Sequence, residues 1–369
     1  MVPLFLKFRE EKIFDVKLCV TGQHREMLDQ VLEIFDVVPD YDLNIMKEGQ
    51  SLSSVTSHII DCMQNIYASY RPDMVFVHGD TATTFSISLS AFHNKIAISH
   101  IEAGLRTFNL QSPWPEEANR KLTSVITNLH FCPTEVSKNN LIREGYSSEN
   151  IYITGNTVID SLIMVRNKLS NNNSLKSQFM ERFDFLDANK KMVLITGHRR
   201  ENFGLGFKNI CMAIKELASQ FPNVIFVYPV HLNPNVQNVV LKNLSSLSNV
   251  FLIEPQDYEA FIFLMDQSHI ILTDSGGIQE EAPSLNKPVL VMRDTTERPE
   301  GIDSGTLKLV GTSANSIINE CYKLLTDQVA YDKMSQKDNP YGDGFASDRI
   351  VNVTKNHFNN REDHVLNYV

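Results

Sequence analysis

The chain has 369 residues, 42% hydrophobic and 21% charged, the balance of a soluble globular protein long enough for two domains. Its formal net charge of −10 argues against a nucleic-acid footprint, which needs a basic face. No apolar run approaches the roughly 20 residues of a membrane span, and the first twelve residues are too charged after Phe8 for a secretory signal, so a cytoplasmic protein is expected.

The opening, residues 1–14, reads as a helix, with Leu4, Phe5 and Phe8 apolar and residues 9–12 polar. It leads straight into a strand over 16–21. A Rossmann unit starts with a strand that lies in the middle of its sheet, so the first domain is expected to lack its first strand. Helices follow at 25–35 and 55–70, and strands at 74–78, 95–99, 129–132 and 151–154. The polar stretch 170–175, with Asn171, Asn172 and Asn173, predicts a surface loop. A second series places strands at 192–196, 224–230, 250–253, 270–273 and 288–292, with helices at 208–220 and 258–267. Strands alternating with helices imply parallel sheets built from βαβ units. The predicted fold is α/β, with two Rossmann-like domains facing a cleft. The domains are 1–154 and 155–347, with a C-terminal helix, 348–369, packing back on the first. The five cysteines are scattered without metal-ligand spacing, and no metal site is expected.

Three polar segments follow expected strands: His78-Gly79-Asp80, His100-Ile101-Glu102 and Thr196-Gly197-His198. Residues just past the carboxyl ends of parallel strands line the ligand crevice. Together with Pro115-Glu116-Glu117, they bring acids and an imidazole to one place. Clustered carboxylates shift one another's pKa, so one can act as an acid while another acts as a base. Asp80 and Glu116 each precede or open a helical stretch, and helix capping is a second role open to both. Glu117 reads as a solvent-facing or structural partner. Ser275-Gly276-Gly277 follows the strand at 270–273 and opens a helix at 278–282, an ordinary turn or a phosphate site. His231 follows a strand and is a further contact candidate. Arg199, Arg200 and Arg298 are available to an anionic ligand, and Arg106 and Arg200 are divided between ligand contact and ion pairing.

The segments 23–29, 78–81, 100–106, 113–120, 197–202, 274–281 and 293–300 together resemble the non-hydrolysing UDP-N-acetylglucosamine 2-epimerases. The resemblance runs in order along nearly the whole chain and implies the two-domain glycosyltransferase-B architecture. It implies interconversion of UDP-GlcNAc and UDP-ManNAc for bacterial surface polysaccharides, by a homodimer without cofactor or metal. By that resemblance Asp80, Glu102 and Glu116 are the catalytic carboxylates and His198 serves the diphosphate and sugar. Gln256 and Phe261 flank the uracil, Ser275, Gly276 and Gly277 hold the diphosphate, Glu281 the ribose, and Arg298 stands near the nucleotide. Gln23, His24 and Arg25 resemble a segment that, in some members, contacts a second UDP-GlcNAc as activator.

The family's route eliminates UDP to 2-acetamidoglucal and adds it back, because C2 has no adjacent carbonyl to acidify its hydrogen. Such chemistry needs acid–base groups near C2 and stabilisation of the departing diphosphate. The sequence departs from the family at its start, where a strand, a Gly-Thr-Arg-Pro-Glu-Ala loop and a lysine are usual. Two readings therefore stand: an active epimerase, or a truncated, impaired UDP-sugar-binding remnant. A hydrolysing epimerase or a glycosyltransferase of the same fold fits the motifs less well.

Overall fold

A computed structural model describes residues 1–23, 25–46 and 49–366 and divides the chain into two units, Met1–Ser161 with Tyr341–Val369, and Leu162–Pro340. The first unit begins with helix α1 (Val2–Glu10), which buries Leu4, Phe5 and Phe8 on one face. It ends at Glu10, short of the expected residue 14, where Glu11 N donates to Phe8 O in a closing turn. Strand β1 (Cys19–Val20) pairs in parallel with β2 (Tyr41–Asp42) across helix α2 (Arg25–Ile34), and the two form a separate two-stranded sheet. The strand expected over 16–21 shrinks to this pair, with the N–H of Leu18 just before it taken by the Asp40 side chain at 2.9 Å instead of by a neighbouring strand.

Helix α3 (Leu52–Ser69) is capped by Ser51, whose Oγ accepts from Ser54 N at 3.2 Å. It leads to β3 (Met74–His78), α4 (Ala82–His93), β4 (Ala97–Ile101), α5 (Glu116–Ile126), β5 (Leu129–Cys132), α6 (Glu135–Arg143) and β6 (Ile151–Ile153). These four strands form one parallel sheet in the order β3-β4-β5-β6. Val77, Ile98, Ile101, Leu129 and Phe131 are buried, as expected of strands covered on both faces. His78 is level with Ile101, and Ile101 with Phe131, so the segments after β3 and β4 emerge side by side.

Helix α7 (Thr157–Asn171) carries the chain into the second unit. The loop expected over 170–175 is a single helix break. Asn172 ends α7 and caps α8 (Asn173–Arg182), its side chain accepting from Leu175 N at 3.0 Å, so the asparagine run serves as a capping signal. The series continues through β7 (Met192–Thr196), α9 (Leu205–Gln220), β8 (Ile225–Pro229), α10 (Pro234–Leu244), β9 (Val250–Ile253), α11 (Tyr258–Gln267) and β10 (Ile270–Thr273). It closes with α12 (Gly276–Glu281), β11 (Val289–Val291), α13 (Pro299–Ser304), β12 (Leu307–Leu309), α14 (Ala314–Thr326) and α15 (Gln328–Ser335). The helix expected over 278–282 starts two residues earlier, directly at the glycines.

The sheet order is β12-β11-β10-β7-β8-β9, all parallel. The chain builds outward from β7 to β9, then returns to lay β10 on the other side of β7. That reversal is a topological switch point, and ligands of open α/β sheets bind outside the carboxyl ends of the strands there. Phe207, Ile210, Ile214 and Leu217 repeat at helical spacing on α9 and bury against Phe226, Tyr228 and Leu272. A fully buried Phe207 contributes about 1.5–3 kcal/mol relative to exposure. The chain then re-enters the first unit and ends in α16 (Ala346–Leu366), whose Ile350 and Val351 share a core with Leu4, Phe8 and Phe131. Among the described residues, no helix is long and apolar enough to cross a membrane.

Candidate active site

In the first unit the turn after β3 is made by Gly79 at φ 72°. A Cβ there would stand 3.1 Å from Glu102 Oε2, so glycine lets the two loops approach. Asp80 comes next, but the cap of α4 is Thr81, whose Oγ1 accepts from Thr84 N at 3.3 Å. The capping role open to Asp80 is therefore filled by its neighbour. The Asp80 carboxylate instead faces Arg120, with Nε 2.9 Å and Nη2 2.7 Å from Oδ2. Asn119 Nδ2 donates to Asp80 O at 2.9 Å, so α5 holds the turn from one side.

Glu116 is the first residue of α5, after Pro115 in the cap position, so it too caps nothing with its own side chain. The positive end of the helix dipole favours its charge. Glu117 is fully buried and structural. It accepts from Phe108 N and Thr107 N at 3.0 Å each, and from Arg120 Nη1 at 3.0 Å. One carboxylate thus fixes the segment before α5 and the guanidinium that holds Asp80.

Glu102 follows β4 with φ 63°, a left-handed backbone that costs a non-glycine residue about 1–2 kcal/mol. Asn156 Nδ2 donates to its Oε1 at 3.1 Å, and His78 Nε2 lies 3.9 Å from its Oε2. Burial lowers the His78 imidazole to about 3 and the His100 imidazole to about 4, so both rings are neutral at pH 7. His100 Nε2 donates to Gly79 O at 2.8 Å and supports the turn from beneath. Arg106, divided between ligand and ion pair in the sequence, is an ion pair: Nη2 meets Glu144 Oε2 at 2.8 Å with its side chain fully enclosed. Gln23 accepts from Thr83 Oγ1 at 3.1 Å. Arg25 is tied to Asp29 at 3.1 Å and Asp42 at 2.6 Å. His24 lies outside the described residues.

In the second unit the centre is a residue that sequence reasoning passed over. Asp274, fully buried after β10, accepts from His198 N at 3.0 Å, Arg199 N at 2.9 Å and Asn202 Nδ2 at 3.1 Å. It stands at the switch point, where the hydroxyls of Thr196 and Thr273 bond across β7 and β10 at 2.6 Å. Its signal in the sequence was its place at the head of the Ser275-Gly276-Gly277 turn. His198 Nδ1 lies 3.3 Å from Asp274 Oδ1, and its ring stacks on His231 with centroids 5.7 Å apart. Burial lowers the His198 imidazole, Asp274 opposes that, and Arg199 and His231 reinforce it. An exposed imidazole backed by a carboxylate can take a proton when neutral and give it up when protonated. Arg200 is exposed in a short turn.

Ser275 precedes α12 without using its side chain as a cap. Gly276 packs against Arg298: a Cβ would come within 2.6 Å of its Nη1, so the guanidinium would have to shift. Arg298 lies under this turn as a partly buried ion pair, with Nε 2.6 Å from Glu280 Oε1 and Nη1 2.9 Å from Glu297 Oε1. Gly277 is exposed. Glu281 is buried and accepts from Tyr258 Oη at 2.8 Å. Burial pushes its carboxyl up to about 7, against the pull of that bond. Gln256 accepts from Arg182 Nη2 at 2.6 Å, and half-buried Phe261 lies on α11. Arg120, Asn156 and Tyr258 join Asp274 as site residues that sequence reasoning did not single out.

A sequence model of the family described as UDP-N-acetylglucosamine 2-epimerase matches residues 6–355. The chain is 54% identical over 357 residues to the UDP-N-acetylglucosamine 2-epimerase of Yersinia pestis, covering 97% of this chain and 95% of that protein. The enzyme of the same name from Salmonella typhimurium is also 54% identical, over the same shares of the two chains. Among solved structures, the UDP-GlcNAc 2-epimerase of Neisseria meningitidis bound to UDP-GlcNAc is similar with a TM-score of 0.89 and 54% identity, covering 96% of both chains.

Proposed function

Because this chain belongs to the UDP-N-acetylglucosamine 2-epimerase family, we propose that it inverts C2 of UDP-GlcNAc, giving UDP-ManNAc by elimination and re-addition of UDP. In the forward step a base takes the C2 proton while the C1–oxygen bond to UDP breaks, leaving 2-acetamidoglucal with a C1–C2 double bond. In the return step UDP oxygen bonds C1 again and a proton reaches C2 from the opposite face. The match through both units favours an active enzyme over an impaired remnant.

The observation that carries this reading is the set of acidic side chains after β3 and β4 and at the head of α5, with Asp80 gripped by Arg120 and Glu102 by Asn156. Asp80, Glu102 and Glu116 are assigned the proton transfers at C2. His198 is assigned to the leaving diphosphate, where a neutral imidazole can supply a hydrogen bond and a protonated one a proton. Ser275, Gly276 and Gly277 are assigned to the diphosphate, the glycines through their backbone N–H groups at the head of α12, since Ser275 N already donates to Thr273 Oγ1 at 3.0 Å. Glu281 offers a carboxyl to the ribose hydroxyls. Gln256 and Phe261 are assigned to the uracil. Arg298 is assigned an indirect part beneath Gly276, because two carboxylates already hold it. Gln23, His24 and Arg25 are assigned to a second UDP-GlcNAc site, with Arg25 held by Asp29 through Nε and by Asp42 through Nη1.

The test is incubation with UDP-GlcNAc in deuterated water. UDP-ManNAc should form, deuterium should enter C2, and 2-acetamidoglucal with UDP should accumulate slowly on long incubation. Epimerisation without C2 exchange would exclude the elimination route. The product is assigned to bacterial surface polysaccharide synthesis and the assembly to a homodimer; light scattering after size exclusion tests the latter.

A further inference from the structure

Glu102 is held from outside its own loop by a residue with a second attachment. Asn156, buried just after β6, gives its side-chain Nδ2 to Glu102 Oε1 at 3.1 Å and its backbone N to Tyr341 O at 2.7 Å. Tyr341 opens the segment by which the chain re-enters the first unit, and Asn156 stands at the start of the segment by which it leaves. The two segments run together here. A Cβ on Gly155 would lie 3.1 Å from Gly342 Cα, and both glycines have positive φ, 82° and 143°. Asn156 Oδ1 also accepts from Val158 N at 3.3 Å, which orients the amide so that its nitrogen faces the carboxylate.

We propose that Asn156 is a positioning residue for the reaction, tying the Glu102 carboxylate to the paired crossing segments so that the reach of Glu102 toward substrate follows their conformation. This rests on the reading of Glu102 as a proton-transfer group. An amide N–H stabilises the ionised carboxylate, whereas an ionised carboxylate in its place would repel it. The titratable groups that face this contact include His78 at the end of β3, which hydrogen-bonds the Asn156 side chain as well as lying near Glu102, and the α-amino group of Met1 ahead of α1. His78 interacts in turn with Asp80, and the Met1 amine with Asp160 on α7.

The experiment uses the full chain with Asn156→Asp and Asn156→Ala, measuring kcat for UDP-GlcNAc between pH 5.5 and 8. UDP affinity is measured by calorimetry, and turnover is expressed per molecule that binds UDP, so any misfolded fraction divides out. Asn156→Asp should lose at least about 10-fold in kcat at pH 8, part of the roughly 10²–10⁴ that an acid–base group contributes. Its deficit should shrink as pH falls, because a protonated Asp regains a donor. Asn156→Ala should keep the same deficit at every pH, and UDP affinity should change in neither. Native kcat in Asn156→Asp at pH 8, a deficit independent of pH, or a loss confined to UDP affinity would each overturn the proposal. If the native chain itself shows no C2 exchange, the epimerase reading has failed and the proposal falls with it.

Discussion

Arg120 grips Asp80 with two of its nitrogens on one oxygen, Nε at 2.9 Å and Nη2 at 2.7 Å from Oδ2, while its third nitrogen holds the buried Glu117. Arg120→Met should therefore do two separable things. It should lower kcat by about 10²-fold or more with little change in UDP affinity, since Asp80 loses its orientation. It should also destabilise the protein by about 3 kcal/mol, because Glu117 is left as a buried charge without its cation. Arg120→Lys, with a point charge in place of the planar fork, should fall between. Native kcat in Arg120→Met would show that Asp80 does not need the grip.

Glu281 gives a pH-dependent stability. Its folded carboxyl stands at about 7 against a usual 4.5, so the folded chain holds a proton that the unfolded chain releases. That contribution is full below about pH 4.5 and lost as pH rises toward 7; the difference, 7 minus 4.5, corresponds to at most about 3 kcal/mol. Glu281→Gln cannot ionise. Its Tm, measured without UDP, should match the native Tm near pH 4.5 and exceed it by several degrees at pH 8. An unchanging difference across that range would mean that the carboxyl is not held protonated.

Asp274→Asn replaces an acceptor-only group with one that must point an amide at N–H donors. Stability should fall by about 1–3 kcal/mol. The titration of His198, followed by NMR, should move to lower pH, because Asp274 is the influence that opposes burial there. Movement to higher pH would mean that the carboxylate does not act on this ring.

Gly276→Ala would drive its methyl to within 2.6 Å of Arg298 Nη1 and 2.9 Å of Cζ. The guanidinium must then shift against its partners Glu280 and Glu297, and Tm and UDP affinity should both fall. Arg298→Ala removes the clashing atoms, so Gly276→Ala should cost less in that background than alone. Strict additivity of the two changes would contradict the packing described.

Much of the fold was legible because the inner strands of the two larger sheets are buried, which writes each as an apolar run. Met74–His78, Leu129–Cys132, Met192–Thr196, Val250–Ile253 and Ile270–Thr273 stand where those runs put them. Tyr41–Asp42 and Leu307–Leu309 were not legible: each is very short, and no apolar run of strand length marks them. In the candidate site, the placement of Asp80, Glu102 and His198 after strands was readable from the apolar runs that precede them. Their holders were not, because Arg120 lies four residues into a helix and Asn156 after a different strand, and only the folded sheet brings them near. Asp274 looked like part of a glycine turn because its three donors come from a loop more than seventy residues earlier.

The second unit is an insertion within the first, since the chain leaves after Ser161 and returns at Tyr341. A ribosome therefore delivers all of the second unit before it delivers α16. Domains generally fold as they emerge, so the sheet bearing His198 and Asp274 can close while the first unit still waits for Ile350 and Val351 to cover Leu4, Phe8 and Phe131. Glu102 comes early in the sequence, yet the core that holds its neighbour Ile101 is completed only by α16.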